Sequence, residues 1–143
     1  MKKTVVIVLL LLCVQGLFAS YSFYKCVRTT CANYHIDVDL RDMGFSGNHF
    51  LLTLNSMRNN FERVILIGYL AVGSAILKQN YLEDKNKDYE ALNPSLITVR
   101  VNLPMGRNIT VISTTATLKQ IMDLSNGIVE PAAFMRKINM TAH

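Results

Sequence analysis

The chain has 143 residues, 50% hydrophobic and 17% charged, with 15 basic against 10 acidic side chains and a formal net charge of +5. This length makes one domain, large enough to bury a working core without covalent staples. Apart from Lys2 and Lys3 the basic residues are scattered, with no cluster beyond Arg136 and Lys137, so the electrostatic footprint of a nucleic-acid binder is absent.

At the N-terminus, Lys2 and Lys3 precede an uninterrupted apolar run from Val5 to Val14, followed by Gln15, Gly16 and a small-residue end at Ala19 and Ser20. A charged, an apolar and a small-residue region in that order form a secretory signal, cleaved after residue 19. The aromatic stretch Tyr21 to Tyr24 allows a second reading, in which residues 4–24 stay as an uncleaved membrane anchor of about 21 residues. Both readings export the remainder, residues 25–143, as one domain to the periplasm or the medium, in the second case tethered to the inner membrane.

Beyond the leader the cysteines are Cys26 and Cys31, an even pair in an oxidising compartment, and the reading is a structural disulfide closing a short loop. The spacing lacks the C-x-x-C of thiol redox motifs. Residues 34–41 alternate Tyr34, Ile36, Val38 and Leu40 with His35, Asp37, Asp39 and Arg41, which predicts a strand buried on one face. Asp37, Asp39 and Asp42, with His35, suggest a divalent cation. The pattern lacks the central glycine and distal glutamate of a calcium loop, and a solvated strand face accounts for it.

From Asn48 as N-cap, Phe50, Leu54, Met57, Phe61, Val64, Gly68, Ala71 and Ala75 recur at steps of four and three, predicting one long helix. Its second half, 64–77, is apolar all round. As a helix that stretch rises only about 21 Å, short of a bilayer core of about 30 Å, so it reads as enclosed by protein. The alternative is a two-pass membrane protein with 64–77 as second span, which the small residues Gly68, Ala71, Gly73, Ser74 and Ala75 favour.

After a hydrophilic connector ending at Asn93 and Pro94, residues 96–102 and 108–114 are β-branched runs separated by Pro104 and Gly106, a β-hairpin. Asn108 and Asn139 each begin an N-x-T triplet, the glycosylation acceptor pattern, which is frequent by chance. Thr114 or Thr115 can cap a helix through Ser125 that Gly127 ends, and Pro131 suits the first turn of another.

Residues 118–138, with Gly127, Ile128, Phe134 and Ile138 matching, resemble the helical hairpin of the SHOCT (short C-terminal domain) family. Pro131, Ala132 and Ala133 stand where that family has acidic residues. The resemblance covers this segment alone and implies an oligomerisation or packing module, without catalytic residues.

Phosphate loops, zincin and nucleophile-elbow motifs and zinc-spaced Cys and His sets are absent from the sequence. The expectation is therefore an α+β domain, with a small three-stranded antiparallel sheet packed on one long helix and two short C-terminal helices behind a signal or anchor. It is expected to be non-enzymatic, without cofactor or metal. It would act by binding another envelope or secreted protein, or a second copy of itself, as an accessory or modulatory factor of an envelope assembly. Met57 and Phe61 are the candidate partner surface. A secreted toxin or effector needs the same features.

Overall fold

The computed structural model describes residues 19–143. The charged and apolar regions of the leader lie outside the described residues. The first described element is a helix, α1, over residues 19–33, whose buried positions are Ala19, Phe23, Val27 and Cys31. That step of four is the spacing of one helix face. From residue 19, where the described residues begin, α1 runs through residue 24 and both cysteines, so the stretch read as a disulfide loop is helical.

α1 ends in a Schellman motif. The Ile36 N–H donates to the Cys31 carbonyl and the His35 N–H to the Ala32 carbonyl, each at 3.0 Å. His35, at φ 61°, fills the left-handed position between them. The strand expected over residues 34–41 does not form. Residues 34 and 35 make the turn, 36–39 carry no regular structure, and Leu40–Asp42 is a short 3-10 helix. The expected alternation survives at Val38, which is buried between the exposed Asp37 and Asp39, but alternation makes a strand only where a neighbouring strand supplies the hydrogen bonds.

Four further helices and strands open the sheet and its first crossover: β1 (Met43–Ser46), β2 (His49–Asn55), α2 (Phe61–Lys85) and β3 (Leu96–Met105). β4 (Asn108–Thr117), α3 (Leu118–Ser125), α4 (Pro131–Lys137) and β5 (Asn139–Ala142) complete the chain. The sheet has five strands in the order β1-β2-β3-β4-β5. All neighbours are antiparallel except β2 and β3, which run parallel with Leu52 opposite Val99. This corrects the expected three-stranded antiparallel sheet. A parallel pair needs a long crossover, and α2 supplies it.

The expected long helix is also corrected at its start, since it begins at Phe61 and residues 49–55 are a strand. Phe50, Leu52 and Leu54 are buried there while His49, Leu51 and Thr53 are half-buried. Phe50 and Leu54 fit either period. Leu52 fits only the strand, and Gly47 with Asn48 makes the two-residue hairpin loop to β1, Gly47 taking φ 58°. The β3–β4 hairpin forms as expected and uses the same device, with Gly106 at φ 65°.

One face of the sheet, with Phe50, Leu52, Leu54, Ile97, Val99 and Val101, packs against the helices in a single core that includes α1 through Phe23 and Val27. The rings of Phe23 and Phe50 meet edge to face at 5.0 Å. The apolar stretch 64–77 of α2 lies in this core, where Val64, Ile65, Tyr69, Val72 and Ile76 are buried. Among the described residues no helix is long and apolar enough to cross a membrane.

The glycines of α2 have specific neighbours. A Cβ on Gly68 would touch Leu54 and Val99 at 3.0 Å, and one on Gly73 would collide with the Ser125 side chain of α3. Small residues here let the helix approach the sheet on one side and α3 on another.

α3 is capped by Thr117, whose hydroxyl accepts from the Gln120 N–H at 3.3 Å, two to three residues beyond the expected caps. It ends in a second Schellman motif with Gly127 at φ 71°. Phe134 of α4 packs edge to face on Tyr69 at 5.1 Å.

Candidate functional site

A cleft of about 820 Å³ opens where four pieces of chain converge. The end of α1 supplies Tyr34, His35, Ile36 and Asp37, and the β2–α2 connection supplies Asn55, Ser56, Met57 and Asn60. The first turns of α2 supply Arg63, Val64 and Ile67, and the β3–β4 hairpin supplies Asn102, Pro104 and Ile109. Its position follows from the parallel pair: the chain leaves the carboxyl end of β2 and must turn into α2, and a crevice forms at that turn.

The walls are held by local hydrogen bonds. Asn102 Nδ2 donates to Asn55 Oδ1 at 3.2 Å, and the Ser56 N–H donates to the Asn102 carbonyl at 3.1 Å. The Asn60 N–H donates to the Met57 carbonyl at 3.1 Å, tightening the turn before α2. Asn60 is the N-cap of α2 without a side-chain cap bond. The floor is apolar at Val64 and Ile67, which are buried. The rim carries three exposed apolar side chains: Met57 at 69%, Ile109 at 68% and Tyr34 at 46% of full exposure. Arg63 makes no ion pair among the described residues, where the pairs formed are Arg41–Asp39 and Lys119–Asp123.

Of the expected partner surface, Met57 lies on the rim of this cleft. Phe61 is half-buried against the core. Tyr34 and Ile109 were not anticipated, because their exposure depends on where α1 stops and on how far the hairpin extends past β2.

The acidic residues are not gathered into a cation site. Arg41 holds Asp39 at 3.0 Å, and Asp42 Oδ2 accepts from the Asp39 N–H at 3.1 Å, which closes the 3-10 turn. No cluster of His, Cys, Asp and Glu among the described residues is arranged to hold a metal ion.

Cys26 and Cys31 are free thiols, so the expected bridge is not formed. Both sit on α1, where a five-residue step turns the two side chains about 140° apart on the helix. Burial pushes the Cys31 thiol up to about 11. Cys26 is raised mainly by burial, against the opposing pull of Lys78 and a hydrogen bond with Thr30.

No family model, no curated protein and no solved structure matches this chain.

Proposed function

We propose that the chain is an exported, non-enzymatic protein that works by binding another protein in the cleft at Met57. The observation that carries this reading is the rim: three large apolar side chains from three separate elements, Tyr34, Met57 and Ile109, stand exposed around one opening. Grouped exposed apolar side chains rimmed by polar groups mark interaction sites, whereas single ones do not. The polar members are the amides Asn55, Asn60 and Asn102 with His35, Asp37, Ser56 and Arg63, a mixed-charge lining that suits a partner offering backbone groups beside an apolar side chain. The reading keeps the accessory or modulatory role in an envelope assembly drawn from the leader.

A photo-crosslinking residue at position 57 in the full chain tests it. The expected result is one discrete adduct in the envelope fraction that Ile109→Asp abolishes and that a crosslinker at Lys119, exposed on α3 beyond the other end of β3, does not give. No adduct from position 57, or one indifferent to Ile109→Asp, would overturn the reading.

A further inference from the structure

β5 is the last strand of the sheet, and among the described residues no strand pairs with its outer edge. The Val111 N–H donates to the His143 carbonyl at 3.0 Å and the His143 N–H to the Val111 carbonyl at 2.9 Å, which fixes the alternation along the ladder. Asn139, Thr141 and His143 therefore turn their backbone groups to β4, while Met140 and Ala142 turn theirs outward. Every residue of β5 is exposed, whereas the opposite edge strand, β1, is buried at Met43 and half-buried at Gly44 and Phe45.

Unpaired edge groups are a template for another strand, and proteins that avoid such pairing place charge, proline or a bulge on the edge. β5 reads Asn139, Met140, Thr141 and Ala142, without charge or proline, and its register with β4 is unbroken. A strand this short offers few backbone bonds, so side chains must contribute as well. They do so on the helix side. Met140, 41% exposed and opposite the buried Thr114, lines a groove of about 420 Å³ with Leu66 of α2 and Met135 of α4. The charged groups facing that groove, Glu62, Arg63 and Arg136, are of both signs, so two such grooves can approach without a field of one sign between them.

We propose that β5 pairs antiparallel with β5 of a second copy of this chain, with Thr141 on the two-fold axis. In that register Met140 exchanges backbone bonds with Ala142 of the second copy, and Ala142 with Met140 of the second copy. Such a pair needs both residues to turn outward, and both do. Thr141 then faces Thr141 of the second copy across the axis, a favourable cross-strand pair. Met140 is covered by Ala142 of the second copy at the mouth of the groove. The occupant is a second copy because the strand is complementary to itself: it is uncharged along its length, and Arg136 and Lys137, which precede it, are carried to opposite sides of the axis. A two-fold contact of this kind closes after two chains. No residue of β5 lines the cleft at Met57, so the pairing does not depend on the partner reading.

Light scattering on the full-length chain, purified in detergent, gives the number of chains per particle. Two are expected for the wild type. Met140→Pro removes an outward N–H that the fold does not use, and one chain is expected. Thr141→Lys and Thr141→Glu, each alone, set like charges against each other across the axis and should also give one chain. Mixed in equal amounts, these two variants should give two chains, which misfolded variants would not. One chain for the wild type, two for Met140→Pro, or no recovery on mixing would overturn the proposal.

Oxidation supplies a second readout. Residues facing each other in a non-hydrogen-bonded pair have Cα atoms about 4.5 Å apart, within the reach of a disulfide. Thr141→Cys is therefore expected to form a covalent dimer beyond any that the native cysteines give, and Ser46→Cys on the opposite edge is expected to add none. Equal cross-linking at positions 141 and 46 would overturn the β5 pairing.

Discussion

The hydroxyl of Tyr69 donates to Thr114 Oγ1 at 2.9 Å, and Thr114 Oγ1 donates in turn to the Val99 carbonyl at 2.9 Å. Both side chains are fully buried. This two-step chain joins the middle of α2 to β4 and β3 across the core, and each polar atom in it is needed by the next. Tyr69→Phe leaves the Thr114–Val99 bond in place and is expected to cost about 0.5–1.5 kcal/mol, whereas Thr114→Val removes both bonds of that hydroxyl, leaves the phenol with the Val99 backbone alone and is expected to cost about 1–3 kcal/mol. Denaturant midpoints of the two variants check the order, and the reverse order would show that the Val99 backbone satisfies the phenol by itself.

Alkaline pH is expected to destabilise the fold through two buried acids. Burial pushes Tyr69 up to about 12 and Cys31 up to about 11, from ordinary values of 10.0 and 9.0. Raised values favour the protonated, folded form, so stability is complete below the unfolded values and falls as pH rises. The loss is expected to begin near pH 9 through Cys31 and to continue to about pH 12 through Tyr69. Melting temperature against pH checks it: Cys31→Ala should remove most of the early part of the fall, the half-buried Cys26 keeping the remainder, and Tyr69→Phe the late part.

Gly73 and Ser125 are a packing pair between α2 and α3. Gly73→Ala forces a collision with the serine side chain and is expected to cost about 1–3 kcal/mol. Ser125 Oγ is buried and has no hydrogen-bond partner among the described residues. Ser125→Ala alone should therefore be neutral or slightly stabilising, and Ser125→Gly should recover part of the Gly73→Ala loss. A double-mutant cycle in denaturant measures the coupling, and strict additivity would mean the helices separate to make room.

Two Schellman motifs with different residues at the left-handed position allow a paired test. His35→Gly should stabilise by a few tenths of a kcal/mol up to about 1, because glycine takes that conformation without the Cβ penalty but loses more chain entropy. Gly127→Ala should destabilise by about 1 kcal/mol. Thermal or urea midpoints read both. Destabilisation by His35→Gly would show that the imidazole makes a stabilising interaction of its own.

Met57 and Phe61 should separate into surface and core. Met57→Ala is expected to change stability by no more than about 0.5 kcal/mol, whereas Phe61→Ala should cost about 1–3 kcal/mol. Urea titrations of the two variants, with the position 57 crosslink as second readout, distinguish the roles.

The β3–β4 hairpin, the C-terminal end of α3, the start of α4 and the apolar half of α2 were legible because each rests on local chemistry: Gly106 and Gly127 at positive φ, Pro131 in a first turn, and a run too short for a bilayer. Residues 34–41 and 49–55 were exchanged, strand for loop and helix for strand. Ile36 and Val38 have the alternation but no neighbouring strand to bond, and Phe50 and Leu54 satisfy two periods at once. Gly47-Asn48 was the signal that a hairpin loop stood before β2. α1 was also visible in principle, in the four-residue step of Ala19, Phe23, Val27 and Cys31, but the leader pattern overlaps its start.

The sequence by itself determined an α+β chain with a basic and apolar N-terminus, a central apolar helix and a C-terminal hairpin followed by two helices, because turn residues and hydrophobic period act over a few neighbours. Only the tertiary structure decided the parallel pairing of β2 with β3, the five-stranded order, the free thiols on α1 and the cleft. Each of these depends on which distant residues meet: Leu52 with Val99, Gly73 with Ser125, Gln79 with Ala19, and Tyr34 with Met57 and Ile109 around one opening. Contacts of that separation are set by the packing of whole elements, which no short window of sequence encodes.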